Sequence, residues 1–279
     1  MKKTKTLLFS SVPFFITFGL QFIIVYYLLF IAAIFMFWIA PSTAMGGSYS
    51  IVDLIALTNN VHFNTVLSIV FSVCCIAVFS MWYYKSYNGN FKVNIKKSFH
   101  PYELLGIVLL VPGTQFMSSI LTGMISMAFP NWLEEYVELM ENAGLSGDIS
   151  ILMIIYSVCL APISEELIFR GVIFRIVRSA FPFWFANFMQ ALLFGIFHLN
   201  PLQGCYTFIL GLFMGYICEK GGTIYHVILF HILFNFWGTT VSEWLFSGNE
   251  SATGLIILAG TLIGLFGGLH FFQKGNKLK

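Results

Sequence analysis

Charge is what this sequence has least of. Asp, Glu, Lys and Arg make up 9% of its 279 residues, against 58% hydrophobic residues and a mean hydropathy of +0.85. A water-soluble domain carries about a quarter charged residues, so lipid must be the main solvent of this chain. The net charge is only +2, and no basic stripe with interleaved aromatics occurs. That argues against a nucleic-acid partner. Neither Cys-x-x-Cys nor His-Glu-x-x-His is present, which removes the usual redox pair and the zincin helix. Cys74, Cys75, Cys159, Cys205 and Cys218 all fall in apolar runs and read as small buried apolar side chains. No internal repeat and no low-complexity tract divides the chain, so residues 1–279 are expected to form a single membrane domain.

What is there in quantity is long apolar runs. Segments near 14–39, 62–84, 104–129, 149–178, 183–199, 203–219, 222–246 and 253–272 approach the 17–25 residues that cross about 30 Å of hydrocarbon. They predict an all-α, polytopic membrane protein of about eight transmembrane helices. Pro162 should kink the fourth. Asn200-Pro201 and Gly221-Gly222 punctuate short joints. The first run is longer than the apolar core of about 7–15 residues in a signal peptide, and reads as an uncleaved helix.

The basic residues orient these spans. With the N-terminus inside, Lys2, Lys3, Lys5, Lys85, Lys92, Lys96, Lys97, Arg175, Arg178, Lys220, Lys274, Lys277 and Lys279 all fall on the inner side, and only Arg170 lies within a span. This positive-inside pattern predicts cytoplasmic N- and C-termini. The compact chain suggests a bacterial plasma membrane. Residues 85–103, basic and aromatic, are expected at the inner headgroups. Residues 130–148 place Trp132, Leu133, Tyr136, Val137 and Met140 on one face and Glu134, Glu135, Glu138 and Glu141 on the other, the pattern of an amphipathic helix on the outer surface.

Ionisable groups inside a bilayer are costly, about 2.5–3.5 kcal/mol each on insertion scales, and so imply a partner, a cavity or a function. Span four holds Ser164-Glu165-Glu166-Leu167-Ile168-Phe169-Arg170. Glu166 and Arg170 are four residues apart and can pair along one helix face. Glu165 points about 100° away with no local cation, and a desolvated free carboxylate suits a general base. Span five ends Phe194-Gly195-Ile196-Phe197-His198, and span seven contains His231-Ile232-Leu233-Phe234-Asn235. An acid, two imidazoles and an amide could converge on a water and a peptide carbonyl, two of them donating to the developing oxyanion. Straight helices with these boundaries put His231 about 14 Å, Glu165 about 20 Å and His198 about 26 Å from their inner ends, a spread the fold has to remove. A membrane histidine can also be only an interhelical hydrogen-bonding group. His226 reads as interfacial, His62, His100 and His270 carry no assignment, and Gly260, Gly264, Gly267 and Gly268 suggest close helix packing.

Glu-Glu-x-x-x-Arg, Phe-x-x-x-His and His-x-x-x-Asn, in this order on separate helices within about 150–240, resemble the three motifs of the CPBP family. That family includes type II CAAX prenyl endopeptidases and bacterial Abi proteins linked to bacteriocin processing and immunity. The resemblance implies a CAAX-protease-like bundle with its catalytic core at 150–240. It implies Glu165 as the base on a water, His198 as its partner, His231 and Asn235 as oxyanion donors, and Glu166 with Arg170 in support. The family's metalloprotease label would allow Zn²⁺ on Glu165, His198 and His231; no obligatory metal is expected. The expected partners are the lipid bilayer and a peptide, either a prenylated tail or a pheromone- or bacteriocin-type peptide. Two rival readings are a non-catalytic immunity protein or scaffold that only binds a partner, and a transporter, for which paired interrupted helices are lacking.

Overall fold

The computed structural model describes residues 2–39, 51–86, 99–147, 149–241 and 250–279. The expectations for residues 87–98 at the inner headgroups and for 242–246 at the end of span seven lie outside them. The described residues are almost all helical, with no strand. In chain order the helices are α1 (Lys2–Ile34), α2 (Ile51–Ala56), α3 (Val61–Ser86), α4 (Pro101–Ala128), α5 (Pro130–Asn142), α6 (Ile151–Arg178), α7 (Phe183–Phe197), α8 (Pro201–Gly221), α9 (Ile224–Phe236) and α10 (250–277). Five helices, α1, α3, α4, α6 and α8, are each long and apolar enough to cross a membrane, whereas apolar α7 is only 15 residues long. The fold is therefore all-α and polytopic.

Lipid, rather than a second layer of protein, covers much of this surface. Along α1, Phe15, Phe22, Tyr26 and Phe30 are each more than 60% exposed, an outward face that only hydrocarbon would tolerate. Two of the five cysteines, Cys159 and Cys205, are also exposed. Only Cys75 and Cys218 are buried, with Cys74 between. The expectation that all five are core residues is corrected: an apolar run in a membrane helix has a lipid face as well as a protein face.

The helix ends follow local chemistry. Asn200 caps α8 by accepting from the Gln203 N–H, with Pro201 at the first helical position, where a missing N–H is harmless. Gly222 ends α8 at φ 75°, a left-handed conformation suited to glycine. Helix α5 forms as the amphipathic pattern predicted. Trp132, Tyr136 and Met140 turn towards the protein, with Tyr136 edge-on to Tyr206 of α8 at 6.4 Å, whereas Leu133 and Val137 remain exposed.

Small residues let α10 lie directly on α4. A Cβ on Gly113 would sit 2.6 Å from the Leu265 nitrogen, and one on Gly264 would sit 2.6 Å from the Gly113 Cα. Gly268 meets α4 just as closely, whereas Gly267 has only an ordinary contact. We expect Gly113→Ala to destabilise the protein by about 1–3 kcal/mol through overpacking. Gly123→Ala, with no atom within 4 Å of the new carbon, should be neutral or slightly stabilising through helix propensity. Thermal melting of both variants in detergent checks this; equal midpoints would contradict the close contact.

Candidate active site

Helix α6 is wound unevenly. Two π-helical stretches, Tyr156–Leu160 and Leu167–Ile173, flank the α-helical Ala161–Glu166 that carries the two glutamates. Such bulges alter the angular position of everything beyond them and recur at functional sites. The first has a clear cause and consequence. The Ala161 N–H bonds to Tyr156 O, five residues back. Ser157 O has then lost its α-helical donor, and its next donor would be residue 162, a proline with no N–H. The Asn235 Nδ2 of α9 supplies the missing hydrogen at 2.8 Å. The expected kink at Pro162 thus takes the form of a widened turn, held by an amide from another helix.

Glu166 and Arg170 form the pair expected from their spacing, with Arg170 Nη1 donating to Glu166 Oε1 at 2.7 Å and both side chains fully buried. The same oxygen also faces His231 Nδ1 at 2.8 Å. The His231 ring presents its other nitrogen, Nε2, to Glu165 Oε2 at 3.7 Å. His231 therefore stands between the two carboxylates, one on each side of the ring. Glu165 is the more open of the two, with 15% of its side chain exposed.

His198 sits at the C-cap of α7, where its Nδ1 lies 2.8 Å from Phe194 O. A carbonyl oxygen can only accept, so Nδ1 carries the hydrogen and the neutral ring has its lone pair on Nε2. Helix α7 is brought close to α8 at Gly195 and Gly204, where a Cβ on Gly195 would sit 2.7 Å from Gly204 O. Asn187 and Gln190 latch the two helices by donating to Leu212 O and Gly211 O. Phe194 fills the space between the histidines, edge-on to His198 at 4.9 Å and to His231 at 6.1 Å. On its face lies Arg170, 4.4 Å from the ring centroid.

Glu165, His198, His231 and Asn235 all line one cavity of about 510 Å³. Glu166 and Arg170 lie behind it, out of contact with solvent. Since all four groups line this cavity, the depth spread of the straight-helix estimate does not describe their arrangement. Polar residues that the sequence reading passed over also line the cavity, among them Gln21, Ser68, Gln203 and Tyr206. Gln21, the one amide in the apolar stretch of α1, was the available signal. His226, assigned to the interface, is wholly buried, with Nε2 3.4 Å from Glu103 Oε2. That contact spans 123 residues, so local pattern could not show it.

Among the described residues no three His, Cys, Asp or Glu side chains are grouped so as to hold an ion. His231 directs one nitrogen to each carboxylate.

Replacing Glu166 by Gln leaves the fully buried Arg170 guanidinium without a counter-charge. Breaking a buried pair in this way costs about 3–5 kcal/mol, so we expect a large fall in the melting midpoint. Replacing Glu166 and Arg170 together by Met should restore part of it. A single variant as stable as the parent would contradict the pairing.

A sequence model of the family described as type II CAAX prenyl endopeptidase Rce1-like matches residues 147–237. The match runs from just before α6 to just beyond α9, the helices that carry the site. Comparison with curated proteins and with solved structures finds no match. Residues 147–237, the stretch that carries the site, are thus similar to the type II CAAX prenyl endopeptidase Rce1-like family.

Proposed function

We propose that the protein hydrolyses a peptide bond at Glu165 by activating a water, with no obligatory metal. The observation that carries this reading is the placement of four polar side chains from three helices around one cavity inside an apolar bundle. A water between Glu165 and His198 would give its proton to the Glu165 carboxylate, while the His198 Nε2 lone pair accepts its second hydrogen. The resulting hydroxide attacks the scissile carbonyl. As the carbonyl oxygen gains charge, His231, when doubly protonated, and the second N–H of Asn235 are the donors available to it. The proton held by Glu165 then passes to the leaving amine, and the carbon–nitrogen bond breaks. Arg170 and Glu166 fix the His231 ring from behind, without touching the substrate.

Asn235 has two tasks in this scheme. One of its hydrogens is committed to Ser157 O, which holds the widened turn before Glu165. The other is free for the oxyanion. The substrate would be a peptide at the membrane, of the prenylated-tail, pheromone or bacteriocin-processing type. We place the protein in a bacterial plasma membrane with both termini cytoplasmic.

Glu165→Gln removes the base while keeping size and hydrogen bonding. We expect at least ~10²-fold slower cleavage, the lower end of general acid–base contributions, with an unchanged melting midpoint. His198→Ala should lose a comparable factor. Quantitative profiling of peptide termini in cells carrying the parent or Glu165→Gln reads the loss directly. Undiminished cleavage in Glu165→Gln would remove the proposed base. Chelators should leave the parent's rate within about twofold, whereas inactivation reversed by added zinc would overturn the metal-free scheme.

A further inference from the structure

The bundle has two chemically different ends. At one, Lys5, Ser86 and Arg175 line a common crevice, and Lys3 lies 5.9 Å from the Phe181 ring centroid. Arg178 pairs with Glu219 at 3.0 Å. Lys274 lies over Tyr102 at 4.4 Å, Lys279 reaches Glu103 at 2.7 Å, and Asn276 donates to Lys220 O. Cationic side chains from α1, α6 and α10 thus gather at a single end, where α8 closes with Lys220.

At the other end lies α5, with exposed Glu134, Glu135, Glu138 and Glu141. A Cβ on Gly144, just after this helix, would press on Val61, the first residue of α3. Tyr136 meets Tyr206 near the start of α8.

The cavity around Glu165 belongs to this second end. It extends from Glu165 and His231 to Asn64, Leu139, Asn142 and Gln203, residues near the outer ends of α3, α5 and α8. No described residue of the basic end lines it. In the opposite direction the bundle is closed: Phe169, Ile173, Val177, Val227 and Phe230 are all fully buried between the glutamates and the basic end.

Basic residues mark the cytoplasmic side of a membrane protein. We infer that the cavity is reached from the extracytoplasmic side, so that its substrate is a peptide or chain segment already exported or exposed at the outer face. This rests on the peptidase reading above and narrows it. A prenylated tail in the cytoplasm would meet the closed end, whereas a secreted pheromone or bacteriocin-type peptide would meet the open one. The reaction that supplies the substrate is then a membrane export step.

Cysteine accessibility in intact bacterial cells tests the inference, with a membrane-impermeant maleimide as the probe and the parent's five free cysteines as the background. Glu138→Cys on α5 and Asn142→Cys at the cavity mouth should gain labelling in intact cells. Ser179→Cys at the basic end should stay at the parent's level until the cells are permeabilised. Labelling of Ser179→Cys in intact cells, or of the α5 variants only after permeabilisation, would overturn the inference. For a variant that does not accumulate, reporters fused to the unaltered chain decide. A C-terminal fluorescent protein that matures only in the cytoplasm should glow, and C-terminal alkaline phosphatase, active only outside, should be silent; the opposite pair of results also overturns it. Labelling needs no turnover, so an inverted orientation would leave the hydrolysis reading standing. Conversely, an unaffected Glu165→Gln rate would leave the orientation standing.

Discussion

One carboxylate oxygen organises the centre of this protein. Glu166 Oε1 meets Arg170 at 2.7 Å and His231 at 2.8 Å, in a place with no contact to solvent. A bare carboxylate there would carry the full desolvation penalty. The guanidinium and the imidazole offset it, and each brings another helix with it. Arg170 stacks on Phe194 of α7 and reaches Gly211 O of α8 at 3.4 Å, while His231 belongs to α9. Four helices with no hydrophobic drive to associate in lipid are thereby tied at one point. The ring held on one side by Glu166 is the ring that faces Glu165 on the other, so the structural ion pair and the chemical site share a member.

The backbone carries a second tie. A π-wound turn before Pro162 leaves Ser157 O without a main-chain donor, and Asn235 satisfies it. An unsatisfied carbonyl in a membrane core costs several kcal/mol, so the contact holds α6 and α9 in a fixed register, nine residues from Glu166 and four from His231 on their own helices. Gly195 and Gly204 do the same for α7 and α8 by letting the chains meet backbone to backbone. His198 is placed by that contact and by the final turn of its helix. Close approach and carbonyl satisfaction, more than side-chain bulk, locate the groups around the cavity.

This explains what could and could not be read in advance. The Glu166–Arg170 pair was legible because it lies within one helix at a spacing of four. The helical class and most span limits were legible from apolar run length alone. The His231 ring between two carboxylates was not, because which side of α9 faces α6 depends on winding that no residue pattern records. The tie between Asn235 and Ser157 follows from Pro162 only once the π turn is known. His226 and Glu103 illustrate the same limit. They are far apart in sequence, and each alone looks like an end-of-span polar residue. The cysteines erred for a different reason: in a bilayer, apolar context does not distinguish a core position from a lipid-facing one.

Among the described residues three carboxylates have left bulk water, and comparing them bears on the choice of the proposed base. Glu103 is fully buried, with Oε2 held by the His100 N–H at 2.9 Å, the Lys279 ammonium at 2.7 Å and His226 at 3.4 Å. It closes the start of α4 as half of a capping box and adjoins no reaction cavity. Glu166 is equally buried and equally engaged. Glu165 differs on each count. Among the described residues no cation lies at hydrogen-bonding distance from it, the His231 ring stands at 3.7 Å, and it retains some exposure to the cavity. A carboxylate bound tightly by cations is a poor proton acceptor, because accepting would forfeit those bonds. A carboxylate left with a loose imidazole contact and room for water has little to lose. The same physics that makes Glu103 and Glu166 struts therefore favours Glu165 as the proposed base.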